Sequence, residues 1–294
     1  MDISIIIPIY NVEPWIETCM QSISQQKFRG TYEVILVDDC GTDRSVSLAL
    51  EELQKANIEP VLLRHETNRG LSAARNTGMD VSIGKYILFV DSDDYISEDC
   101  LEKLFDKAEE TRADVTVGGC MTSQGEDFAS SFITAWNKLY LRDFLRNNNI
   151  RFVEGLIHED NPWSFEISCK TDKVVSIPDI TYFYQIRENS LQTGKDYTKH
   201  FNAYCSILRE YAKIIAETSK KENQEKLLFD FERQKALFFT MTLEQGTLDQ
   251  QKYMYRIIRD LPPIPKPSKP DFHYWIPSCL GFYAYRKFHK CHLC

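Results

Sequence analysis

No apolar run in this 294-residue chain approaches the roughly 20 residues that a spanning helix needs, which excludes a membrane-crossing helix. Positive charge is in deficit: 35 Lys and Arg against 43 Asp and Glu leave a net charge of -8. That balance argues against nucleic acid as the main partner, because neutralising phosphates needs a basic surface. No G-x-G-x-x-G follows a strand-like run, which argues against a dinucleotide site. Gly78 and Gly84-Lys85 have the wrong spacing for a P-loop and stand before a strand instead of after one. No G-x-S-x-G elbow is present either. The opening Met1-Asp2-Ile3-Ser4 lacks a basic stretch leading into an apolar one, so no signal peptide is expected. The nine cysteines are odd in number and irregularly spaced, and several sit inside apolar patterns. Reduced, mostly buried thiols in a cytoplasmic protein fit that usage best. Cys291-His292-Leu293-Cys294 has CxxC spacing but no second pair, which makes it a poor zinc site.

The chain is rich in short apolar runs that end in polar chemistry. Ile3 to Ile7, Glu33 to Val37, Val61 to Leu63 and Ile87 to Val90 read as buried strands, separated by helical stripes. One stripe carries Trp15, Ile16, Cys19, Met20 and Ile23, and another carries Val46, Ala49, Leu50 and Leu53. A third helix is expected from a Ser72 cap to about Ser82, with Gly84 ending it. Strands alternating with helices predict right-handed βαβ units and an α/β fold with a mostly parallel sheet flanked by helices. After this, a helix from Ser97, a strand at Val115 to Val117, a helical middle to Trp136–Asn149, and two strands at Val174–Ile177 and Tyr182–Tyr184 are expected. From Thr198 to Asp260 the pattern is helical. The expected division is therefore a domain over 1–197, a helical extension over 198–260, and a Pro-rich linker with an aromatic and basic tail over 261–294.

The strand ends carry the chemistry. The first gives Tyr10-Asn11, the second Asp38-Asp39 and the fourth Asp91-Ser92-Asp93-Asp94. Ligands of open α/β sheets bind at that edge, and three acids within four residues need a cation or ligand to offset their repulsion. Asp91 and Asp93 are two apart and point the same way on an extended backbone. Oxygen-only donors suit a hard divalent cation, Mg²⁺ or Mn²⁺, that also binds substrate phosphates. Asp38 and Asp39 suit ribose hydroxyls or a base N–H. Arg75, on the helix opening at Ser72, is expected to face a diphosphate and stabilise it as a leaving group.

Four ordered stretches then resemble family 2 glycosyltransferases of the GT-A fold. They are Ser4 to Glu13, Glu33 to Ser45 (Cys40-Gly41 standing where the family usually has Gly-Ser), Asn68 to Gly78, and the DxD-like Asp91 to Asp94. The match spans roughly residues 3–100, the nucleotide half being about 1–97 and the acceptor half about 98–197. The resemblance implies inverting transfer from a nucleotide-diphosphate sugar, with a UDP-sugar the expected donor, to a hydroxyl of a glycan or lipid-linked acceptor in surface polysaccharide synthesis. It implies that Pro8, Tyr10, Asn11, Glu13, Asp38, Asp39, Arg75, Asp91 and Ser92 serve the donor, and that Asp93 holds the metal.

Inverting transfer also needs a base for the acceptor hydroxyl. His158-Glu159-Asp160-Asn161-Pro162-Trp163 resembles the family's Glu-Asp pair, whose second acid is the usual base, and so supplies the candidate: Asp160, with Glu159 in reserve. Pro162 is expected to limit helix continuation there, Asp160 as a helix cap being the structural alternative. Trp163 could stack on a sugar, and Lys138 and Arg187 could offset phosphate charge. Two other readings stay open. In one, Asp91 is the nucleophile of a haloacid-dehalogenase-like phosphotransferase, with Asp93 as acid/base. In the other, the chain is a nucleotide-sugar or glycan-binding protein without catalysis. The tail after residue 270, with seven aromatics and Arg286, Lys287 and Lys290, suits either packing on the protein body or peripheral contact with the inner face of a membrane.

Overall fold

The computed structural model describes residues 1–125, 133–186, 197–217 and 224–261. The chain divides into two compact units. The first comprises Met1–Ile167 and Thr171–Glu188, and the second comprises Ser168–Lys170 and the chain from Asn189.

The first unit is built on β1 (Ile3–Ile9), β2 (Tyr32–Asp38), β3 (Val61–Arg64), β4 (Tyr86–Phe89), β5 (Tyr95–Ile96), β6 (Val115–Thr122), β7 (Lys138–Leu141) and β8 (Val174–Tyr184). They form one sheet in the order β3-β2-β1-β4-β7-β6-β8-β5. The first four strands are parallel, whereas β7 is antiparallel to both β4 and β6. Every residue of β1 is buried, which is why it reads as a continuous apolar run. Helices α1 (Ile16–Ser24), α2 (Ser45–Lys55), α3 (Leu71–Val81) and α4 (Cys100–Thr111) turn apolar stripes onto the sheet, and α5 (Arg142–Asn147) and α6 (Asp160–Lys170) follow β7. Helix α3 approaches β1 so closely that a Cβ at Gly78 would lie 2.4 Å from the Ile6 side chain.

Chain order and sheet order reverse at β1: β2 lies on one side of it and β4 on the other. This switch point opens a crevice at the carboxyl ends of the strands, the usual ligand position in such sheets. The antiparallel β7 begins at that same edge, its Lys138 level with Val117 of β6.

Several local expectations change. Gly70, at φ +86°, occupies the N-cap of α3, and Ser72 lies inside the helix with its hydroxyl buried and uncapping. The stretch from Trp136 to Asn149 is strand then short helix, because Leu139 and Tyr140 pair with β4. The two strands anticipated after residue 173 are one, with its irregularity taken up against Gly119 of β6. Pro162 falls in the first turn of α6, where its missing N–H breaks no intrahelical bond.

In the second unit, α7 (Tyr197–Glu217), α8 (Gln224–Gln245) and α9 (Leu248–Asp260) bury Phe201, Leu208, Tyr211, Phe238, Phe239 and Met254. Thr247 and Gln250 form a reciprocal capping box at the start of α9. No helix among the described residues is long and apolar enough to cross a membrane. The described cysteines are free thiols. The aromatic tail and Cys291-His292-Leu293-Cys294 lie outside the described residues.

Candidate functional site

The β1 end supplies Pro8, buried, and Tyr10, which is 48% exposed at the mouth of the crevice. Asn11, in a left-handed conformation, accepts from the Thr42 amide at 2.8 Å. Glu13 accepts from the Arg44 amide at 3.0 Å, so both side chains hold the loop that follows β2.

Asp38 caps that loop through the Gly41 amide at 2.9 Å. Asp39, almost fully buried, is gripped from three directions. One oxygen accepts from the Arg69 amide at 2.8 Å and from His65 Nδ1 at 2.6 Å, and the other accepts from the Gly70 amide at 2.7 Å. Thr77 Oγ1 lies 2.9 Å from His65 Nε2 and can pair with it in either direction, while the Asp39 carboxylate takes the Nδ1–H. Gly70 is needed here because its positive φ turns its N–H onto that carboxylate.

At the end of β4, Asp91 accepts from Arg75 Nη2 at 2.7 Å. Ser92 is buried, and Asp93 is partly exposed beside it. Asp94, whose partner the sequence does not reveal, is buried and accepts from the Tyr182 hydroxyl at 2.7 Å and the Gln185 amide at 2.7 Å. The Asp91 amide donates to the same Tyr182 hydroxyl at 3.1 Å, so β8 clamps the whole acidic turn. Burial, aided by Asp93 and Asp91, holds the Asp94 carboxyl well above the usual range.

Arg75 corrects the expectation that it faces a diphosphate. It is fully buried, and Nη1 donates to Glu159 at 2.7 Å and to Asp160 at 3.1 Å while Nη2 holds Asp91. Its Cζ lies 5.1 Å from the Phe152 ring centre. One guanidinium thus joins the donor-edge acid to the acid pair at the start of α6. Burial and the neighbouring Asp160 push Glu159 up to about 7, against the pull of Arg75. Burial also raises Asp160, opposed first by Arg75. The position of Asp160 in the first turn of α6 favours its anion.

Two further expectations fail on burial. Trp163 is 1% exposed and stacks on Phe152 at 3.9 Å, with its Nε1 donating to the Tyr140 hydroxyl at 3.2 Å, so it has no face for a sugar. Lys138 is equally buried and donates to Thr134 O at 2.5 Å and Asn137 Oδ1 at 2.9 Å; it is neither a surface cation nor open to a phosphate. Burial pulls it down to about 7, and Asp160 opposes that shift. Arg187 lies outside the described residues.

Among the described residues, no three His, Cys, Asp or Glu side chains gather as a ready-made metal cage. Asp93, partly exposed in the acidic turn, fits instead a hard cation held by one or two protein oxygens plus phosphates and water.

A mostly parallel sheet with a crevice at the carboxyl ends of β1, β2 and β4 is the architecture of the GT-A fold class. The family model "Glycosyl transferase family 2" matches residues 4–166, and the chain belongs to that family. It is 27% identical over 288 residues to the poly(ribitol-phosphate) beta-glucosyltransferase of Bacillus spizizenii, covering 89% of this chain and 45% of that protein. It is 33% identical over 218 residues to the uncharacterized glycosyltransferase EpsJ of Bacillus subtilis, covering 64% and 62%. The chain thus spans about half the length of these relatives. Residues 1–349 of S. aureus TarS, solved in complex with UDP-GlcNAc, share the fold at a TM-score of 0.78 and 24% identity, over 89% of this chain and 82% of that one. The GT-A expectation is therefore met.

Proposed function

We propose that the protein is an inverting glycosyltransferase that moves a sugar from a UDP-sugar to a hydroxyl of a surface-polymer acceptor. The observation that carries this reading is the Arg75 bridge, which puts the candidate base Asp160 and the donor-edge Asp91 on one guanidinium. The TarS complex with UDP-GlcNAc supports a uridine donor. The name of the B. spizizenii relative makes a polyol-phosphate polymer the acceptor class to test first.

In this reading Tyr10, Asp38 and Asp39 bind the nucleoside, and the backbone grip on Asp39 fixes its free lone pair before donor arrives. Asp93 would hold Mn²⁺ or Mg²⁺, which when bound neutralises charge on the leaving diphosphate. Asp160 takes the acceptor hydroxyl's proton as the hydroxyl attacks the anomeric carbon from the face opposite the diphosphate. Arg75 keeps Asp160 ionised, and Glu159, with its raised pKa, carries the surplus proton of the pair. The nearly dry surroundings strengthen each of these interactions.

The test is a thermal-shift series with UDP, GDP and UDP-sugars, with and without Mn²⁺, followed by product analysis at the anomeric carbon. Ligand binding raises apparent stability by mass action, so a uridine-selective, Mn²⁺-dependent shift and an inverted product are expected. Full activity after exhaustive chelation would remove the metal from the scheme. A retained anomeric configuration would remove the single displacement.

A further inference from the structure

A second feature lies at the opposite edge of the same sheet. Strand β4 starts there at Tyr86, and the antiparallel β7 ends beside it at Leu141. A cleft of about 290 Å³ opens at this edge, lined by Asp80 and Ser82 at the end of α3, Arg142 and Arg146 on α5, and Asn149 and Arg151 beyond it.

Its charges do not balance. Three arginines line the cleft against one carboxylate, in a protein whose net charge is -8. Arg151 commits two nitrogens to Asp80, at 2.6 and 3.0 Å. Arg142 donates Nη1 to the Ser82 carbonyl at 2.8 Å, yet its Nε is buried with no acceptor. Arg146 is exposed, and its side chain makes no hydrogen bond or ion pair among the described residues. A buried N–H without an acceptor costs about 1–3 kcal/mol, a cost that an anionic oxygen would relieve. Guanidinium groups are the donors best matched to phosphate geometry.

We propose that this cleft binds a phosphate group of the acceptor chain, a mono- or diester gripped by Arg142 and Arg146 beside a wall fixed by Arg151 and Asp80. The inference rests on the reading above that the acceptor is a phosphate-bearing polymer. Helix α3 connects the two places: Arg75 lies in the acid corner, and Ser82 seven residues on lies in the cleft. At 1.5 Å rise per residue the separation along the helix is about 10 Å, within reach of one acceptor chain. The cleft would then hold the polymer at a distance from its reacting hydroxyl, improving capture of long acceptors without touching the chemistry.

The experiment uses the full chain and the variants Arg146→Gln and Arg146→Glu, whose side chain holds nothing in the fold. Each is titrated calorimetrically with inorganic phosphate, with a short ribitol-phosphate oligomer and with phosphatidylglycerol vesicles, at two salt concentrations. The unaltered protein should bind the oligomer in a salt-sensitive way, and Arg146→Glu should weaken that binding about tenfold or more, with Arg146→Gln between. Melting temperature and the UDP-induced shift should stay unchanged. Equal oligomer affinity in all three proteins overturns the proposal. So does Arg146-dependent binding to vesicles without binding to oligomer or phosphate, which would assign the cleft to lipid. If UDP shifts none of the proteins, the transferase reading fails on its own, while the oligomer comparison still decides the cleft.

Discussion

Asp39 and the Glu159–Asp160 pair are both buried carboxylate sites in the first unit, but they hold their charge differently. Asp39 is met by two backbone amides and an imidazole, all from the short run between β3 and α3. The two amides are fixed by the fold and bring no charge of their own. Glu159, Asp160 and Asp91 instead share a single guanidinium. Lys138 also favours the Asp160 anion, but burial pulls that amine down to about 7. In the proposed function the first site recognises the nucleotide, and the second carries a charge surplus that the raised Glu159 offsets by holding a proton.

The sharpest way to break this contrast is Asp160→Asn. Removing a general base costs roughly 10²–10⁴ in turnover, while the UDP-induced thermal shift should persist. Near-normal turnover would end the assignment of Asp160. Arg75→Met comes next, since it leaves three acids without their shared cation. Breaking a buried ion pair from one side costs about 3–5 kcal/mol, to be read in denaturant melts. A cost well under 1 kcal/mol would show that the bridge does not govern the corner.

Glu159→Gln probes the proton itself. The folded state holds Glu159 at about 7 against its ordinary 4.5, so between those values it binds more protons than the unfolded chain. That contribution to stability is complete below 4.5 and is lost as the pH rises through about 7. The substitution should flatten the fall across that window; an unchanged slope would place the proton elsewhere. The smallest effect is expected for His65→Phe, which removes one of three donors from Asp39. UDP binding should weaken by about 1.5 kcal/mol with kcat unchanged. A matching loss in kcat would mean that the donor edge and the acid corner are not separable.

Much of this was legible before folding. Buried strands on a parallel sheet read as unbroken apolar runs, so β1, β2 and β4 and the acids at their ends stand out. The acid pair at 159–160 stands out through its resemblance to the family. The roles of His65 and Tyr182 were not legible, because His65 belongs to no periodic pattern and Tyr182 reads only as one residue of a strand. Arg75, Trp163 and Lys138 were visible as residue types, but their burial was not. An arginine near acids reads as a ligand contact until its exposure is known, and Trp163 reads as a platform until Phe152 is found stacked on it.

The sequence by itself determined the alternation of strand and helix and the placing of acids at strand ends, because both follow from hydrophobic period and local turn chemistry. It determined family membership for the same reason: the motifs are short and contiguous. Only the tertiary structure decided which acid answers to which cation. Arg75 meets Asp91 sixteen residues away and Glu159 eighty-four residues away, and Asp94 meets Tyr182 across eighty-eight. Pairings at such separations are set by sheet order and by β7 running antiparallel against β4, a long-range geometry that no local pattern encodes.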